Sequence, residues 1–143
     1  LVALAGRCSI PLMADESLLS LADAESLRSA GAKVWWNIRI SKNGGITGAS
    51  ELAGLAVGSG IPFVAGCMVG ESSILSAAQR RFLSAAGAAA RFVEGNYGRF
   101  LMTDDLTGKS LRFGYRGRLK PLVGRGLGVK IDPDKLACYG RTV

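Results

Sequence analysis

Histidine is absent from the 143 residues. Neither a Ser-His-Asp nor a Cys-His nucleophile can therefore be assembled, and a zinc site with imidazole ligands is excluded. Any metal has to rest on carboxylates. Cysteine is scarce: Cys8, Cys67 and Cys138 stand far apart with no CxxC spacing, which argues against a structural zinc site and a disulfide framework. The expected setting is reducing and cytoplasmic. No apolar run approaches the ~18 residues of a membrane span, and Leu1–Arg7 lacks the charged start of a signal peptide. A membrane partner is not expected. The first residue is leucine rather than methionine, and the expectation is a segment of a longer product.

What is present is globular. Hydrophobic residues make up 48% and charged residues 20%, enough to bury a core and to exclude disorder despite 20 glycines. The length fits one domain, since domains run to ~100–200 residues.

Four short apolar runs recur: Ile10–Ala14, Val34–Ile40, Ile61–Ala65 and Arg91–Glu94. Their spacing of roughly 25–30 residues is that of a strand-loop-helix unit in a parallel α/β protein. Helices are expected between them at 19–30, 46–58 and 72–89. The first carries Leu21, Ala24, Leu27 and Arg28 at helical spacing and stops at Gly31. The third starts at Ser72-Ser73 and sets Ile74, Leu75, Ala78, Phe82 and Ala85 along one face. The order is β-α-β-α-β-α-β. A closed barrel of eight such units needs ~250 residues, so the predicted fold is α/β, half of a TIM-like barrel. From Gly98 to Gly128 the sequence turns Gly-rich and basic, and it closes with Val129–Pro133; this reads as a hairpin-like tail packed on the body.

Reactive groups of a parallel barrel sit where strands end, because the following loops open on one face. The four ends carry Asp15-Glu16-Ser17, Arg39 through Lys42-Asn43-Gly44-Gly45, Cys67 through Glu71, and Glu94-Gly95-Asn96. Such acids and cations suit a carboxylate substrate handled around a hard cation. Each also has a structural reading. Asp15 or Ser17 fits a helix N-cap, Lys42–Gly45 a turn, Glu71 a helix-dipole partner and Glu94–Asn96 a turn. Asp104-Asp105 reads as an exposed loop pair.

Four motifs in register narrow these alternatives: Pro11-Leu12-Met13-Ala14-Asp15-Glu16-Ser17, Asn37-Ile38-Arg39-Ile40-Ser41-Lys42-Asn43-Gly44-Gly45-Ile46, Gly66-Cys67-Met68-Val69-Gly70-Glu71-Ser72 and Gly126-Leu127-Gly128-Val129. Together they resemble the C-terminal barrel half of the enolase superfamily, in its muconate-lactonizing and mandelate-racemase-like branch. The resemblance covers nearly the whole chain, read as one partial barrel domain over 1–143. It implies abstraction of the proton beside a carboxylate, with the enediolate held on Mg²⁺ or another divalent cation such as Mn²⁺. Asp15 is then the implied metal ligand and Glu16 its neighbour in the second layer.

The branch usually has lysine where Arg39 stands, as an acid/base facing the substrate. Period-two alternation puts Asn37 and Arg39 on one side of the strand. Arginine, with its very high pKa, keeps its proton at any working pH, which favours a lyase or cycloisomerase with one base from elsewhere over a two-base racemase or epimerase. Arg39 and Lys42 are the candidate catalytic residues, and Asn37, Cys67, Glu71, Glu94 and Asn96 the candidate substrate contacts. Dipeptide epimerases of the family carry an Asp-x-Asp pair where Glu94 and Asn96 fall. One carboxylate fewer, with a net charge of +7, argues for an acidic substrate.

The resemblance also implies a capping domain, a Lys-x-Lys strand and two further ligand strands that do not lie in these residues. The segment alone is expected to be inactive, and the full-length enzyme to be a homo-oligomer. An alternative of another class is anion or nucleic-acid binding through Lys109, Arg112, Arg116, Arg118, Lys120 and Arg125, six cations with no acid between Leu106 and Lys130. A solvated tail needs no such partner, and nucleic acid is not the expected one.

Overall fold

The computed structural model describes residues 1–95 and 97–140. After a short helix α1 (Val2–Ala5), strands β1 (Leu12–Ala14), β2 (Val34–Arg39), β3 (Phe63–Gly66) and β4 (Ala90–Val93) alternate with helices α2 (Leu21–Ser29), α3 (Gly45–Gly58) and α4 (Ser73–Ala86). The sheet runs in the order β1-β2-β3-β4. Every pair is parallel, with Ala14 beside Trp36, Arg39 beside Gly66 and Ala65 beside Val93. This is the half-barrel expected from the spacing of the apolar runs.

Local chemistry sets the helix ends. Ser20 caps α2, accepting from the Asp23 backbone N–H while the Asp23 carboxylate accepts from the Ser20 N–H at 2.9 Å. Asp15 and Ser17 are thus not the cap, because the chain turns once more before the helix begins. At the other end Gly31, at φ 65, lets Ala32 N–H reach the Leu27 carbonyl at 3.1 Å. The expected 72–89 helix is α-helical only to Ala86 and tightens into a 3₁₀ turn at Gly87–Ala89.

Strand alternation divides the sheet into two faces. Val34, Trp36 and Ile38 of β2 join Ala14, Phe63 and Ala65 in a buried core with Ala24, Leu52, Ala56 and Phe82 from the helices. The register places Met13, Trp35, Asn37, Val64 and Phe92 on the opposite face. That face is only partly covered: Phe92 is 63% and Met13 42% exposed, and Trp35 stacks on Phe92 with ring centroids 5.9 Å apart. Parallel sheets are normally covered on both sides.

Residues beyond β4 form a strap over α4. Arg80 donates to the carbonyls of Arg112 and Lys120 at 2.9 and 3.2 Å, and Arg81 to those of Leu122 and Gly124 at 3.1 and 2.7 Å. The expected hairpin reduces to one antiparallel bridge, Thr107 with Ile131, because Gly117, Gly124, Gly126 and Gly128 take positive φ and turn the backbone between them out of an extended ladder. A short helix α5 (Gly98–Leu101) and a final helix α6 (Pro133–Tyr139) flank it. The α6 helix was not expected; Asp132 caps it and Pro133 begins it. Asp105 corrects the loop-pair reading: it is buried and accepts from the Ser73 N–H at 3.1 Å and from the Ser73 hydroxyl, holding the start of α4 from 32 residues away. Among the described residues, no helix is long and apolar enough to cross a membrane.

Candidate functional site

The carboxyl ends of β1 and β2 meet in one polar cluster. Strand β1 stops at Ala14, so Asp15 leaves the sheet at its rim beside the end of β2. One Asp15 oxygen accepts from Arg39 Nη2 and the other from Lys42 Nζ at 2.9 Å. Lys42 also donates to the carbonyls of Asp15 at 2.6 Å and Asn37 at 2.9 Å. Its three ammonium hydrogens thus have three acceptors, which fixes Lys42 in place and leaves it no spare donor. Arg39 is less consumed. Its Nη1 faces the Met68 sulfur at 3.3 Å, and its buried Nε has no partner. Glu16 stands at the edge, 82% exposed at the side chain and 4.0 Å from Arg39.

Asn37 lies beneath this cluster, buried, with Oδ1 unpaired. It faces Gly66, where an added Cβ would meet Asn37 Oδ1 at 2.0 Å; glycine is required by that close approach. At the end of β3, Cys67 is half-buried, and its thiol is pushed up to about 11 by burial and then by the carboxylates of Glu71 and Glu94, with Arg39 opposing. Glu71 is buried and accepts from the Met68 N–H at 2.7 Å. Burial raises its pKa, opposed by that bond, by Arg39 and by the Ser41 side chain. Glu71 therefore closes the β3 loop rather than simply facing a helix dipole. Glu94 lies past β4 on a 320 Å³ cavity walled by Val93, Tyr97, Phe113 and Leu119. Asn96 lies outside the described residues.

The structure thus brings Asp15, Glu16, Arg39, Lys42 and Asn37 together, and places Cys67, Glu71 and Glu94 around the neighbouring strand ends. Sequence reading missed Asn43 as more than a turn residue. Its buried amide accepts from the Arg39 N–H at 2.8 Å and donates to the Leu18 and Leu19 carbonyls at 2.8 and 3.2 Å, tying the Asp15 loop to the end of β2. An asparagine inside a Lys-Asn-Gly-Gly turn carries no local signal of partners 24 and 25 residues away.

The donor set was tested for a divalent cation. Among the described residues no group of three or more His, Cys, Asp or Glu side chains could hold a metal. Asp15 already accepts from two cations, so these residues do not form a magnesium site by themselves. The basic residues 109–125 lie apart on the exposed strap, whose backbone Arg80 and Arg81 hold against α4.

Comparison with known proteins supplies the context. The family described as enolase C-terminal domain-like matches residues 1–135. Muconate cycloisomerase 1-2 of Acinetobacter lwoffii is 32% identical over 127 residues, covering 89% of this chain and 32% of that enzyme. L-Ala-D/L-Glu epimerase of Francisella tularensis subsp. novicida is 41% identical over 61 residues, 43% of this chain and 17% of that protein. The crystal structure of muconate lactonizing enzyme from Klebsiella pneumoniae superimposes with a TM-score of 0.87 at 27% identity, over 99% of this chain and 39% of that one. The chain therefore spans well under half the length of the proteins it matches.

Proposed function

Because the chain belongs to the enolase C-terminal domain-like family, we propose that it supplies the C-terminal half of the active-site mouth of a lyase or cycloisomerase acting on a small carboxylic acid. The supporting observation is the Asp15–Arg39–Lys42 cluster at two adjacent strand ends, in a fold shared with muconate lactonizing enzyme. In this reading the enzyme removes the proton beside the substrate carboxylate. Asp15, itself held by Lys42, fixes Arg39 in one pose, and the guanidinium sets its positive charge beside the anion as charge grows on it. A guanidinium keeps its proton, and the Lys42 nitrogen, with all three hydrogens bonded, has no lone pair to take another, so the base comes from the other half of the barrel. Family resemblance brings in Mg²⁺, whose further carboxylates would come from the other half of the barrel, since the described residues hold no group of three ligands.

A racemase or epimerase is the second reading, favoured by the identity shared with L-Ala-D/L-Glu epimerase. Arg39 argues against a base on its side of the substrate.

The test is a chimera in which this chain replaces the matching segment of the Acinetobacter lwoffii cycloisomerase. Solvent-deuterium exchange beside the carboxylate of a small dicarboxylic acid, abolished in the Asp15→Ala chimera, is expected. A folded chimera that exchanges no such proton in any acid tried contradicts the reading.

A further inference from the structure

Gln79 is a polar residue in the middle of α4, between Ala78 and Phe82, and it is 2% exposed. A buried amide is costly unless bonded. Its Nε2 reaches out of the helix layer to the sheet, donating to the Gly66 carbonyl at 2.9 Å and the Glu94 carbonyl at 2.7 Å, with the Ala65 carbonyl at 3.4 Å. These carbonyls lie at the ends of β3 and β4, where the ladder between the two strands stops. Glu94 is thereby held twice: its N–H bonds the Ala65 carbonyl at 2.9 Å, and its carbonyl bonds Gln79. Gln79 Oε1 has no hydrogen-bond partner and faces Gly95. At φ 137 Gly95 has a conformation that side chains rarely adopt, and a Cβ there would stand 2.7 Å from Oε1. An apolar residue would fill the same space without leaving an acceptor unmet. The retained amide is explained by its two strand-end bonds.

We infer that Gln79 is a positioning residue that sets where the Glu94 carboxylate stands at the mouth, holding the ends of β3 and β4 from behind. This goes deeper into the proposed site and rests on that reading only for the mouth's use. The geometry itself can be read without turnover, so failure of one is distinguishable from failure of the other. The reporter is Cys67, whose thiol feels Glu71, Glu94 and Arg39 around it.

The experiment uses the full chain with Cys8→Ser and Cys138→Ser, leaving Cys67 as the sole thiol, and follows its alkylation by iodoacetamide against pH. Gln79→Met is expected to keep the far-UV circular dichroism of the parent chain and to shift the Cys67 profile to lower pH, the same shift expected of Glu94→Gln. In the Gln79→Met background, Glu94→Gln is expected to add nothing further. Gly95→Ala, which drives a methyl against Oε1 with Gln79 still present, should give the same shift and carries the test if Gln79→Met does not fold. An unmoved profile in Gln79→Met or Gly95→Ala, shifts that add in full in the double variant, or no effect of Glu94→Gln would each overturn the inference.

Discussion

Asp15 holds its carboxylate between two cationic side chains, and its own side chain is 24% exposed while that of Lys42 is 8%. Removing the acid strands the more buried charge. Asp15→Asn is therefore expected to destabilise the fold by about 1–3 kcal/mol, below the value for a fully buried pair because water reaches the aspartate. Lys42→Met removes the stranded charge instead and should cost less, which urea denaturation of the two variants would rank; the reverse order would show that Lys42 matters for its carbonyl bonds rather than for Asp15. Glu71 has a signed pH effect. Its folded-state pKa is raised by burial, so the folded state binds its proton more tightly than the unfolded state. The resulting stability is present in acid and lost as pH rises through the folded-state value. Glu71→Gln should flatten that part of the stability–pH curve in chemical denaturation, and a curve with unchanged slope would refute the assignment. At this scale Asp15 and Arg39 were legible in the sequence because strand ends mark the mouth of a parallel barrel. Asn43 and Gln79 were not, since their partners are backbone carbonyls distant in the chain.

Elements whose apolar period matches their geometry were read to within a few residues: β2 at Val34–Arg39 and α3 at Gly45–Gly58 lie where the pattern puts them. The strap was not legible. Its order comes from Arg80 and Arg81 bonding carbonyls 32 to 43 residues away, and from Asp105 bonding the start of α4. No local pattern encodes such pairings. They do have consequences for the elements they join. Asp105→Ala leaves the buried Ser73 N–H and hydroxyl without their acceptor, a loss of about 1–3 kcal/mol, and should speed hydrogen exchange in the first turn of α4 more than in α3. Equal exchange in both helices would mean that Asp105 does not act as the cap of α4.

The described residues form an open sheet with one face covered and the other only partly so. Its other face carries Trp35, Phe92 and Met13, and its rims β1 and β4 leave strand edges unpaired. The chain by itself is expected to associate, with light scattering showing a mass that rises with concentration; a monodisperse monomer with a sharp calorimetric melt would count against a half-barrel. The fold was legible at this scale because four evenly spaced units are half of eight, whereas the substrate was not, because the chain holds only one side of the mouth. We propose that Arg39 works as a fixed cation rather than as a base, and NMR of α-proton exchange in D₂O, with each enantiomer of a chiral carboxylic acid given to the chimeric barrel, separates the two roles. A fixed cation gives washout from one enantiomer only, appreciable exchange in Arg39→Lys, and a loss of roughly 2–4 kcal/mol of transition-state stabilisation in Arg39→Met. Washout from both enantiomers, lost with Arg39, would contradict it and make the epimerase reading the better one.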